Sequence, residues 1–207
     1  NPGDVQWMTA GRGIIHSELP HPDFYDTGGL LHGFQIWVNL PAKHKMMAPR
    51  YQEIPELDSP AVEKDGVWAR VIAGECMGVT STIDTVIPIT LIHVKMEKGA
   101  VLTQKIGADL NGMIYAFGGS VKLVDRPGVR SYPLPLGFGV RQQVNDGELA
   151  LLSEGDVIEL KCDKAADLLI LAGPEINEPI ARYGPFVMNT REEIHQAVID
   201  YQNGTLA

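Results

Sequence analysis

Apolar positions in this chain recur in short alternating or continuous runs, and only rarely at helical spacing. Such runs fill residues 5–8, 33–40, 67–72, 91–96, 113–117, 121–124, 149–152, 157–160 and 168–172, and each predicts a β-strand. Gly, Pro, Asn or Asp occupy most of the intervals, which is the turn chemistry an all-β fold requires. Gly118-Gly119 reads as a hairpin tip between two of these strands. Residues 49–66 contain Pro49, Pro55 and Pro60 among many charges, and 51–66 read as a linker between two β units. Proline fixes φ and donates no ladder hydrogen bond. One segment has helical spacing. Thr190 with Glu193 makes a capping-box pattern, Ile194, Ala197, Val198 and Tyr201 form a stripe, and Asn203-Gly204 supplies a stop. His195 points away from that stripe and is expected in solvent.

A formal net charge of −9 argues against direct contact with nucleic acid or an anionic membrane surface. No apolar run reaches the length that spans a bilayer, and no signal-peptide pattern opens the chain. Cys76 and Cys162 are far apart and share no metal-ligand spacing. They read as small buried hydrophobes in a reduced, cytoplasmic protein. Gly3-Asp4-Val5 recurs as Gly155-Asp156-Val157, each entering a predicted strand. Overlaid at that offset, His16 falls on Leu168 and Glu18 on Ile170. If the halves are duplicated barrels, the second has an aliphatic interior where the first has polar groups, and is structural.

Those polar groups are the candidate chemistry. His16 and Glu18 lie two apart in a short extended stretch, so their side chains share a face with Ile14, at a Cα separation of roughly 6.5–7 Å. Two glycines in residues 9–13 permit a tight turn that aims the stretch. Taken alone, the pair fits either a partly exposed polar couple or two ligands of one first-row divalent metal, which the donor set does not distinguish among iron, manganese, nickel, copper and zinc. The other histidines lack metal spacing. His21 sits in a loop between prolines, and His32 shares an apolar face with Phe34, Ile36 and Val38, as a core or barrel-rim residue does. His44 lies in a lysine-flanked turn, and His93 alternates with Leu91 and Lys95. Trp7, Met8, Phe34 and Trp37 can line an aromatic pocket or fill a core, and the core assignment is preferred for most.

Three segments carry a family resemblance: PGDVQWMTAGRGIIHSE at residues 2–18, HGFQIWVNLP at 32–41 and GPFVMNT at 184–190. Together they resemble the pirins of the cupin superfamily, and the likeness runs along essentially the whole chain. The resemblance implies an all-β bicupin of two tandem double-stranded β-helix barrels with a short C-terminal helix. Its expected layout is 1–50 as the remainder of an N-terminal metal-binding barrel, 51–66 as linker, 67–175 as a C-terminal barrel without metal ligands, and 176–207 as a helical extension. It further implies one Fe(II), held by an H-x-H pair on an earlier strand and by the His and Glu of the H-S-E motif, here His16 and Glu18. No H-x-H occurs in this sequence, so the first barrel is expected to be incomplete and its metal affinity low.

The activity implied is ring opening of flavonols such as quercetin by O₂, with Glu18 both as metal ligand and as the base that takes the 3-hydroxyl proton. The alternatives are an iron-dependent co-regulator that binds transcription factors in the nucleus through protein contacts, or an inactive pirin. No Lys/Arg cluster of the nuclear-import type is present.

Overall fold

The computed structural model describes residues 3–124, 126–133 and 140–206. Two compact units divide them, Leu57–Glu175 and a second made of Asn1–Glu56 with Ile176–Ala207.

The Leu57–Glu175 unit is two antiparallel sheets closed on one apolar core. The larger sheet runs Leu149–Leu151, Leu110–Gly118, Ala166–Pro174, Thr90–Met96, Val67–Ala73, Ala61–Lys64 from edge to edge. The smaller runs Gln143–Val144, Val121–Leu123, Val157–Lys161, Val101–Lys105. Alternation explains the packing. Ile114 and Ala116, Leu168 and Ile170, Val94 and Ile92 point inward from the large sheet, while Leu102, Ile158 and Leu160 meet them from the small one. Gln104 is a polar residue on an inward face, and its amide donates to the carbonyls of Glu75 (2.9 Å) and Lys105 (2.7 Å). Leu168 and Ile170, the positions that overlay His16 and Glu18, are fully buried among aliphatic neighbours. Both cysteines are buried and free, and burial pushes the Cys76 thiol up to about 11, so each packs as a neutral side chain.

In the other unit, Val5–Thr9 pairs antiparallel with Arg50–Ile54, from Val5↔Ile54 to Thr9↔Arg50. Ala181–Tyr183 and Phe186–Met188 form a hairpin, and the helix Arg191–Gln202 comes after it. The helix starts as its sequence requires: the Thr190 hydroxyl accepts from the Glu193 amide, and the Glu193 carboxylate accepts from the Thr190 amide. Ala197 is its buried centre and His195 is exposed. Mostly strand with a short C-terminal helix, the fold matches the class expected. Among the described residues no helix is long and apolar enough to cross a membrane.

Four expectations need correction. Residues 33–40 form no strand, because among the described residues no neighbouring strand offers them a ladder. Their apolar side chains are consequently open to solvent, Phe34 at 45% and Trp37 at 53%, and His32 is exposed rather than part of a core. Gly118-Gly119 is not a hairpin tip: Leu110–Gly118 and Val121–Leu123 belong to different sheets, so the turn carries the chain across the core. Residues 51–66 hold most of one strand and all of another, Arg50–Ile54 and Ala61–Lys64, since Pro49, Pro55 and Pro60 flank these elements rather than interrupt them. Finally, two short helices, Pro22–Thr27 and Ala42–Lys45, accompany the C-terminal one, each too brief to show periodicity.

Candidate metal centre

The strand Val5–Thr9 ends in a turn that sets the direction of residues 14–20. The Gly13 amide donates to the Ala10 carbonyl (3.0 Å) and that of Arg12 to the Met47 carbonyl (2.9 Å). Gly13 has φ +144°, and a Cβ there would lie 2.4 Å from the Leu206 carbonyl oxygen, so only glycine fits. Residues 14–20 leave this turn without ladder partners among the described residues.

Two of them converge. His16 Nδ1 lies 4.0 Å from Glu18 Oε1, with the side chains 37% and 55% exposed. The pair is therefore not sunk into a barrel interior, yet its donor atoms face each other. A third group comes from the second motif: the Gln35 amide nitrogen lies 3.3 Å from Glu18 Oε1 and 3.2 Å from Oε2, donating to the carboxylate. The sequence pattern does not single out Gln35. Its one signal is a lone amide between Phe34 and Ile36, inside an apolar run where a polar side chain needs a partner.

The remaining histidines are placed elsewhere. His21 caps the Pro22–Thr27 helix, its Nδ1 accepting from the Asp23 amide at 3.3 Å. The His32 ring packs near Phe34, at 5.4 Å between centroids. His44 is within the Ala42–Lys45 helix, and His93 lies 2.5 Å from Asp167. Among the described residues no group of three or more His, Cys, Asp or Glu is arranged to hold an ion. The chain's own candidate donors are His16 and Glu18.

A borderline imidazole and a hard carboxylate suit a first-row divalent ion. Two donors each about 2.0–2.2 Å from one cation stand roughly 3.0–3.5 Å apart at adjacent octahedral or tetrahedral positions, and up to about 4.2 Å when they lie on opposite sides of it. The 4.0 Å separation lies inside the wider of these limits, and Gln35 donates to the carboxylate as an outer partner does. The residues present fit a bound metal.

The family model described as the pirin C-terminal cupin domain matches residues 91–207, and that described as pirin matches residues 1–38. The chain belongs to the pirin family. Mouse Pirin is 38% identical over 205 residues, covering 98% of this chain and 65% of that protein. The tomato Pirin-like protein is 40% identical over 208 residues, covering 98% of this chain and 64% of its own length. The chain thus spans about 65% of the length of the mouse, rat and human pirins. A crystal structure of quercetin 2,3-dioxygenase from Acinetobacter baumannii superposes with a TM-score of 0.86 at 35% identity, covering 99% of this pirin chain and 67% of that one.

Proposed function

We propose that this chain serves a metal-dependent dioxygenase that opens flavonols such as quercetin, with His16 and Glu18 as ligands of an Fe(II) ion. The observation that carries the reading is the convergence of His16, Glu18 and Gln35 in a chain similar to the Acinetobacter quercetin 2,3-dioxygenase.

When bound, the metal supplies a Lewis acid that acidifies the flavonol 3-hydroxyl. Each further role falls to a residue. His16 contributes a nitrogen donor and keeps one oxygen of Glu18 directed to the same side. Glu18 takes the 3-hydroxyl proton as general base, a function its exposed carboxylate can reach. Gln35 donates to both carboxylate oxygens, which narrows the rotations open to Glu18 while its proton-accepting edge stays accessible. Phe34 and Trp37 lie close to Gln35 in the chain and are about half open to solvent, so their uncovered faces offer apolar surface to an aromatic substrate.

The test is oxygen uptake by the metal-loaded protein with quercetin. Glu18→Gln is expected to abolish turnover while removing only part of the bound metal. Undiminished turnover in that variant would remove Glu18 from the base role. A fully metallated wild-type protein that leaves quercetin intact would contradict the enzymatic reading.

A further inference from the structure

Residues 14–20 and 28–40 carry the candidate site, yet among the described residues neither has a ladder partner. An extended segment without ladder bonds keeps one conformation only if side chains and close approaches hold it. Several contacts that do so come from the other end of the chain. Leu206 lies against Gly13, three residues before His16, where a Cβ would meet its carbonyl oxygen at 2.4 Å and its Cγ at 2.6 Å. The Arg182 guanidinium sits 4.9 Å from the centroid of the Trp37 ring, two residues after Gln35. Beyond Trp37, a Glu178 carboxylate oxygen accepts from the Ala42 amide (2.6 Å) and from the Asn189 side chain (3.2 Å). Lys45 is buried beside this cluster and donates to Asn39 (2.6 Å); burial lowers its pKa, against the opposing pull of Glu178 and Glu193.

We infer that residues 178–206 brace the site from both flanks: Leu206 positions the His16–Glu18 stretch, and Arg182, through Trp37, positions Gln35 and with it the Glu18 carboxylate. Arg182 and Leu206 are positioning residues, since neither touches the donor atoms. The inference rests on the reading of His16 and Glu18 as metal ligands.

The brace is tested in the full chain with two readouts. The first is Co(II) affinity, measured by the visible absorption of the bound ion. The second needs no metal: acrylamide quenching of Trp37 in a background carrying Trp7→Phe and Trp68→Phe. Loss of a partly exposed cation–π contact in Arg182→Ala should raise the Co(II) dissociation constant roughly 2- to 5-fold. It should also increase quenching of Trp37, and Arg182→Lys should restore part of both. Leu206→Ala should weaken Co(II) binding without changing Trp37 quenching, which keeps the idea open to refutation if Arg182→Ala fails to fold. Unchanged quenching in Arg182→Ala, or increased quenching with unaltered Co(II) affinity in both variants, overturns the brace. A wild-type chain whose cobalt band does not depend on His16 overturns the metal reading instead, and is distinguishable because it precedes any change at the brace.

Discussion

His93 shows how one side chain ties the Leu57–Glu175 unit to pH. On Thr90–Met96 it stands opposite Leu169, and its Nε2 reaches Asp167 Oδ1 at 2.5 Å, while Trp68 meets the ring edge-on at 5.2 Å. Burial disfavours the imidazolium, Asp167 favours it, and Lys95 with Arg70 oppose it; the net effect is a pKa below the ordinary 6.5. A histidine with a depressed folded-state pKa adds stability that is fully present above about 6.5 and is lost as pH falls through the folded value. Thermal midpoints should therefore drop between pH 7 and 5, and His93→Gln should flatten that part of the profile. At the site, Gln35→Ala removes the amide nitrogen that donates to both oxygens of Glu18. Loss of an outer partner of a metal ligand typically costs about 10- to 100-fold, so kcat with quercetin should fall by at least roughly tenfold. The closeness of His16 and Glu18 was legible in their two-residue spacing, whereas their reading as metal ligands came from the family resemblance. Gln35 was not, because 17 residues separate it from Glu18 and the contact depends on how the intervening chain folds back.

Among elements, the strands that sequence pattern located well are those whose alternation meets a second sheet. Ala166–Pro174 sits between two neighbours in the six-stranded sheet, with Ile170 fully buried. Ile170→Ala should cost about 2–5 kcal/mol, measurable by denaturant unfolding. Residues 33–40 have the same alternation and form no strand, since a pattern states which side chains share a face and not whether a ladder partner exists. The glycines at 118 and 119 marked a turn but could not reveal which sheet the next strand joins. Two-residue strands such as Gln143–Val144 are too short to carry any period. The C-terminal helix was legible because its cap chemistry is local. Thr190→Ala should destabilise it by about 1 kcal/mol and raise amide exchange in its first turn.

At the scale of the molecule, the Leu57–Glu175 unit has a continuous apolar core drawn from both of its sheets, with no polar ligand set inside it among the described residues. The other unit carries the candidate chemistry on segments with few backbone bonds, the usual arrangement where a site must open to a ligand. The central claim is that His16 and Glu18 hold one metal ion. Calorimetric titration with Fe(II) under anaerobic conditions tests it directly, comparing the unaltered chain with His16→Ala, Glu18→Ala and, as control, His32→Ala. A single saturable site that both ligand substitutions eliminate and His32→Ala retains is the predicted result. Equal Fe(II) affinity across all four proteins would contradict it.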